Sequence, residues 1–222
     1  MRVRLTTDAL SNIGTLGNSG ALYGVDSPPG RVKGDYYLDS RWNKGAILAY
    51  EVDKVIEGYL VKYDINGNSI EIKASKIHRL ISVDRVQSIV WYDSLTSAPH
   101  AFVNAKEFKE NGVPLTGLIE VVSDGKIPLM KRTTLYVKKP NYVVAMDVGS
   151  KDTEIMKLEK FYYAKGKDLF EVKKKKDLLV LFGDKGPEMD EFIKRNAINL
   201  RQEAGLKILF SHYNAQFKTE AY

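Results

Sequence analysis

The chain has 222 residues, 34 of them Lys or Arg against 28 Asp or Glu, giving a net charge of +6, and it contains no cysteine. The missing thiols exclude disulfides, thiolate metal sites and a cysteine nucleophile, and they leave the redox compartment open. No stretch approaches the ~20 apolar residues of a membrane-spanning helix, and the basic excess is modest, whereas a dedicated nucleic-acid binder concentrates its excess on one face.

Residues 1–34 are rich in Gly, Ser, Asn and Pro, and Ser27-Pro28-Pro29-Gly30 continues no regular element. An irregular arm is expected there, with a short edge strand from Arg2 to Leu5 as the alternative. Its two arginines are followed by no apolar h-region, so the arm does not read as a signal peptide. A cytoplasmic location follows unless a signal lies upstream of Met1. From Tyr36 the pattern turns to β. Residues 45–50 form an apolar run, 51–54 a polar turn and 55–63 a second strand. Asn66-Gly67 marks a hairpin, because both residues tolerate positive φ. Residues 69–73 alternate, with Ile70 and Ile72 on one face and Glu71 and Lys73 on the other. Two more runs, 77–83 and 86–92, complete an antiparallel meander with one wet face.

A polar break at 94–99 leads to a short apolar piece at 101–103 and an expected loop at 106–114 containing Asn111-Gly112. A second β region follows. Residues 118–122 and 127–137 flank Asp124-Gly125, another favoured hairpin turn. A strand is expected at 142–146, a polar turn at 148–153 and a return to the sheet at 154–163.

The stretch 158–213 opens LEKFYYAKGKDLFEV, two alternating runs around a Lys/Gly/Asp turn, then switches to the helical period. Asp177 is placed to cap a short helix that stops at Gly183. Pro187 suits the first turn of the next helix, with Glu188, Asp190 and Glu191 at its positive end. Asn199 and Gln202 have capping-box spacing. Leu206, Leu209, Phe210 and Tyr213 recur at i, i+3, i+4 and i+7, an amphipathic stripe. The expected fold is α+β: mainly antiparallel β, as a sandwich or roll of meanders, with two to three short C-terminal helices packed as a cap. The expected organisation is an arm over 1–34 and one domain over 35–222, β-rich in 35–172 and helical in 177–214.

Few residues point to chemistry. Asp64-x-Asn66-x-Asn68 with Glu71 resembles the start of a calcium loop, but Ser69 stands where that loop needs glycine and the flanks are strands. It reads as a hairpin tip. His78, His100 and His212 are scattered, with no i, i+4 pairing. His100, after Pro99, is expected in a loop as the least constrained of the three, and His212 off the apolar stripe of the last helix. No G-x-S-x-G, P-loop or G-x-G-x-x-G occurs. Acid pairs such as Asp147 with Asp152, or Asp190 with Glu191, fall at turns and a helix start. No catalytic residue, metal ligand or cofactor is implied.

Two surfaces are candidates for binding. Lys165, Lys167, Lys173, Lys174, Lys175 and Lys176 form the one dense basic cluster, a candidate polyanion contact, with Phe161, Tyr162, Tyr163 and Phe170 near enough in sequence to stack bases. The plainer reading puts these lysines on the solvent side of an edge strand, where they discourage aggregation, and the aromatics in the core. Tyr36, Tyr37, Trp42, Trp91 and Tyr92 flank the first β region. Facing solvent, they would make a flat patch for a protein or a sugar; facing inward, they anchor strand ends.

Three blocks carry a resemblance: GDYYLDSRWNKGAILAYEVDKVIEGYLVKYDINGNSIEIK, LIEVVSDGKIPLMKRTTLYVKK, and the tail FYYAKGKDLFEVKKKKDLLVLFGDKGPEMDEFIKRNAINLRQEAGLKILFSHYN. Together they resemble a group of exported β-rich proteins of Bacteroidota-type bacteria with no assigned activity. The resemblance spans most of residues 34–214 and implies a place in the periplasm or outer-membrane envelope. The leading expectation is a non-enzymatic envelope protein that binds a protein partner or serves a structural role. The alternative is a cytosolic module that binds nucleic acid or another polyanion through the lysine cluster. An enzyme acting on envelope glycans ranks third.

Overall fold

The computed structural model of the protein describes residues 30–51, 55–75, 77–143 and 146–217. The edge strand expected at Arg2 to Leu5 and most of the expected arm and 51–54 turn lie outside these residues. The chain divides into two compact units, one of residues 1–32 with 139–153 and one of 33–138 with 154–222.

In the first unit, Asn141 and Ser150 close a turn-rich excursion. The Asn141 amide donates to the Ser150 carbonyl, and the Ser150 amide donates to Asn141 Oδ1, at 2.9 and 2.8 Å. The strand expected at 142–146 is described only as one bridge, Val143 to Val148; Val144 and Ala145 lie outside the described residues. Asp147 at φ 50° and Gly149 at φ 95° reverse the chain there. Asp152 Oδ1 accepts from the Arg31 amide at 2.8 Å.

The described strands are β1 (Val32–Lys33), β2 (Asn43–Ala49), β3 (Val55–Asp64), β4 (Ser69–Ala74), β5 (Ile77–Ser82), β6 (Val86–Tyr92), β7 (Pro99–Asn104), β8 (Lys109–Glu110), β9 (Val113–Pro114), β10 (Leu118–Ser123), β11 (Leu129–Lys138), β12 (Thr153–Lys165) and β13 (Asp168–Glu171). In the second unit they run in the hydrogen-bonded order β5-β4-β3-β2-β6-β7-β10-β11-β12-β13-β8-β9. The class is α+β and the pairing is antiparallel, apart from the parallel contact of β13 with β8. The two β regions form one continuous sheet, joined where β7 pairs with β10, which fits a roll of meanders.

Two bends curl the sheet. β5 and β6 lie at opposite ends of the run β5-β4-β3-β2-β6, yet only the 3₁₀ turn Val83–Arg85 separates them along the chain. The first meander must therefore close on itself. Its alternating inward residues, among them Ile47, Val61, Tyr63, Ile70, Ile89 and Trp91, form one core. In the same way, β7 and β8 end the run β7-β10-β11-β12-β13-β8 but are joined by the 3₁₀ turn Ala105–Glu107. Ile119, Met130, Tyr162 and Leu169 fill this second curl. Asn104 links the two bends. Its Oδ1 accepts from the Lys106 amide at the second, and its Nδ2 donates to the Val83 and Val86 carbonyls at the first, each at 2.7 Å.

The 106–114 segment is more ordered than the expected loop. Asn111 and Gly112, at φ 52° and 80°, form a tight turn between β8 and β9, as a two-residue hairpin requires. At the β3–β4 tip the left-handed residue is Asn68, at φ 45°, while Asp64 Oδ1 accepts from the Gly67 amide at 3.0 Å. The calcium-like carboxylate is thus spent on its own turn.

Among the described residues three helices close the fold: α1 (Lys175–Leu181), α2 (Gly186–Arg195) and α3 (Glu203–Ala215). Leu178, Phe182, Met189, Ile193 and the expected stripe Leu206, Leu209, Phe210 and Tyr213 bury against Val122 and Leu129 of the sheet. Pro187 lies in the first turn of α2 as expected. The capping expectations shift. Lys174 is the N-cap of α1, so Asp177 sits inside the first turn, where its charge favours the positive end. Gln202 is the N-cap of α3 and makes no side-chain cap bond, whereas Asn199 Oδ1 accepts from the Arg201 amide. The expected capping box is a turn just upstream of the helix.

Candidate functional site

The lysine cluster does not lie on an edge strand. β13 ends at Glu171, so Lys173 and Lys174 lead into α1, while Lys175 and Lys176 form its first turn. Carboxylates already face half of the cluster: Lys167 reaches Glu107 at 3.6 Å, Lys173 reaches Glu171 at 3.4 Å, and Lys175 pairs with Asp190. Lys165 lies 6.0 Å from the Tyr163 ring centroid. Cations at a helix N-terminus oppose the helix dipole, and Asp190 from α2 offsets this for Lys175. Tyr162 is buried and Phe161 and Tyr163 are half-buried, which leaves Phe170 as the exposed ring, stacked on Tyr163 at 5.3 Å.

The aromatic candidates divide. Trp91 is a core residue, 4% exposed and packed on Phe102 at 4.5 Å between ring centroids. Tyr36 is exposed. Tyr37, Trp42 and Tyr92 gather on the outer face of the first meander. Register explains why. Tyr92 pairs with Lys44, Lys44 with Leu60, Leu60 with Lys73 and Lys73 with His78. Directly paired residues point to the same face, so these five form one row across β6-β2-β3-β4-β5. Lys62 and Glu71 pair in the neighbouring row.

Trp42, just before β2, joins this face. Lys62 Nζ and Lys73 Nζ lie 4.9 and 5.5 Å from its ring centroid, and His78 meets it edge-on at 5.7 Å. Lys62 also lies 4.9 Å from the Tyr37 ring. The Tyr37 hydroxyl donates to Glu71 Oε1 at 2.6 Å, and that bond, with burial and nearby carboxylates, pushes its pKa up to about 12. Glu71 is thereby engaged, and Asp64, on the same face of β3, is a second acid near Tyr37. Beside Trp42 an open cleft of about 310 Å³ is lined by Lys44, Leu60, Tyr92, Asp93, Ser94 and Ser97. Asp93 is fixed there by the Thr96 and Leu95 amides, the Thr96 hydroxyl and Arg41, which hold its carboxyl well below the usual range. The lysines of this face went unread as a group because Lys44, Lys62 and Lys73 lie on different strands. The alternation Ile70-Glu71-Ile72-Lys73 was the available signal.

A polar cavity of about 290 Å³ lies against the sheet between the 38–41 loop and β7, β10, β11 and β12. His100 is not in a loop but in β7, where Nδ1 lies 2.6 Å from Glu120 Oε1. Glu120 Oε2 meets Lys131 Nζ at 2.7 Å, and Lys131 reaches Glu203 in the first turn of α3 at 2.9 Å. Glu120 is only 7% exposed. Burial alone would pull Lys131 down; the Glu120 and Glu203 carboxylates outweigh it and raise the ammonium above its ordinary value. This ladder ties the sheet to α3.

Among the described residues no group of three or more His, Asp or Glu is arranged to hold a metal ion, and no helix is long and apolar enough to cross a membrane. Comparison of the chain with protein-family models, with curated proteins and with solved structures found no match.

Proposed function

We propose that the protein is a non-enzymatic binding protein that receives a negatively charged partner on the outer face of β6-β2-β3-β4-β5. One observation carries this reading: Lys62 and Lys73 converge on the Trp42 ring beside an open cleft bounded by Lys44 and Tyr92. Lysines on different strands raise the local potential, and the half-buried Trp42 with the exposed Tyr92 adds contact area of the kind that dominates binding energy. The lysine cluster at 165–176 is the weaker candidate, since three of its six members face carboxylates. A place in the cell envelope is supported by the sequence resemblance to exported proteins, and fractionation of the native protein tests it.

The binding test uses immobilised heparin as a generic polyanion. Retention is expected to fall steeply with salt and to drop on replacing Lys44, Lys62 and Lys73 by Gln, and further with Trp42→Ala. Replacing Lys173, Lys174, Lys175 and Lys176 by Gln is expected to change it little. If only the second set lowers retention, or the wild-type chain is not retained at low salt, the proposed face is wrong.

A further inference from the structure

Polar groups with unused bonding capacity converge elsewhere, in a cavity of about 440 Å³ between the β3–β4 tip, the entry to β10 and the middle of β11. Its lining includes Tyr63, Asn68, Thr116, Gly117, Arg132 and Thr133. Asn68 Oδ1 is buried and accepts no hydrogen bond from any described residue. A buried acceptor left unmade is costly, so such an atom calls for a ligand or a water. The Tyr63 side chain is 3% exposed, and its hydroxyl oxygen accepts from the Leu118 amide at 3.3 Å. The hydroxyl hydrogen finds no acceptor among the described residues. Burial raises the Tyr63 pKa above its ordinary value, so this donor keeps its proton.

Arg132 is the one charged residue among the cavity's lining residues, and its nearest carboxylate, Glu110, stands 3.9 Å away. That distance is too long for a hydrogen bond, and the Arg132 side chain makes none with the described residues. Gly117, at φ +89°, keeps the space open. A Cβ there would lie 2.7 Å from the Tyr63 hydroxyl oxygen and 3.8 Å from Asn68 Oδ1, so both polar atoms border the same void. The lining offers a guanidinium, a phenol donor and one free acceptor, with three threonines, Thr116, Thr133 and Thr134, of which Thr134 donates to the Leu158 carbonyl at 3.5 Å.

We propose that this cavity binds a small hydroxylated carboxylate, such as a sugar acid. The carboxylate meets the Arg132 guanidinium and the Tyr63 hydroxyl, and a ligand hydroxyl donates to Asn68 Oδ1. A guanidinium favours a planar carboxylate, which it can grip with two parallel N–H groups. The free acceptor discriminates in favour of a ligand that brings its own donor, because a site with an unanswered polar group rejects the analogue lacking it. The site is separate from the Trp42 face, and neither depends on the other.

The test is titration calorimetry with glucuronate, acetate, glucose and inorganic phosphate as probes. Glucuronate is expected to bind, with acetate and glucose each weaker by about tenfold or more, since each lacks one half of the recognition. Arg132→Met is expected to remove glucuronate binding. Asn68→Gly, which keeps the left-handed backbone at that position, is expected to weaken glucuronate about tenfold while leaving acetate unchanged, and it remains informative if the Arg132 variant fails to fold. Binding of phosphate alone, glucuronate affinity equal to that of acetate, indifference to both substitutions, or no binding of glucuronate would each overturn the proposal.

Discussion

Asn214 of α3 occupies the space that Gly125 leaves empty in the β10–β11 turn. A Cβ on Gly125 would lie 2.6 Å from both Cβ and Cγ of Asn214. Through that gap Asn214 Oδ1 accepts from the Ile127 amide at 3.0 Å, and Nδ2 donates to the Asp124 and Ile127 carbonyls at 3.2 and 2.9 Å. One side chain, 2% exposed, thus fastens a hairpin to the last helix.

Asn214→Ala strands three backbone groups of that turn and is expected to cost about 2–3 kcal/mol. Gly125→Ala forces the turn away from α3 and is expected to cost about 1–3 kcal/mol. Urea unfolding of both single variants and the double variant measures the coupling. Additive costs would show that the two residues do not act as one contact.

Gly205 makes a sharper test of packing against propensity. In an isolated helix, Ala in place of Gly gains about 1 kcal/mol. Here the added Cβ would sit 2.1 Å from the Asn199 carbonyl oxygen. Gly205→Ala is therefore expected to lower the melting temperature of the protein while raising the helicity of a peptide spanning α3, and the two measurements should move in opposite directions.

The Glu120–Lys131 pair is expected to show the asymmetry of buried charges. Lys131→Met leaves Glu120 desolvated and should cost about 3–5 kcal/mol, whereas the joint change Glu120→Leu with Lys131→Met should cost less than the single one. Lys131 has a raised folded pKa, so its contribution is whole below the ordinary value of 10.5 and is lost as pH rises through the raised value. The stability difference between the wild type and the double variant should therefore shrink as pH rises above 10.5.

The Arg41 cluster predicts the acid limb. Hydrogen bonds from Thr96, Leu95 and Arg41 depress the Asp93 pKa. Burial opposes the same shift at Asp39, but bonds from Arg41 and Asn43 outweigh it. A depressed carboxylate contributes stability that is present above its ordinary value of 3.8 and lost as pH falls through the lowered one. Asp93→Asn is expected to flatten the loss of stability below that pH in thermal melts. An unchanged acid limb would assign acid sensitivity to other groups.

Much of the fold was legible where one face of an element is dry. Residues 86–92 match β6, and the stripe Leu206, Leu209, Phe210, Tyr213 is 5% exposed or less throughout. Local chemistry was read less well. The helix starts differ from the expected ones: Asp177 lies inside the first turn of α1, and Asn199 serves the turn before α3, since a capping side chain can equally serve the turn beside the helix. His100 reads as a loop residue in the sequence because Glu120, its partner, lies 20 positions away on a strand whose apolar run LIEVVS hides one buried charge.

By itself the sequence determined the class, the order of strands before helices and the hydrophobic faces, because these follow from periodicity over neighbouring residues. Only the tertiary structure decided which side chains meet. Register between strands brought Lys44, Lys62 and Lys73 to the face that holds Trp42, buried Trp91 on the opposite face, and left Arg132, Tyr63 and Asn68 around one cavity. A one-residue slip in register would send each of these side chains to the other face, and the pairing that prevents it is a contact between distant parts of the chain.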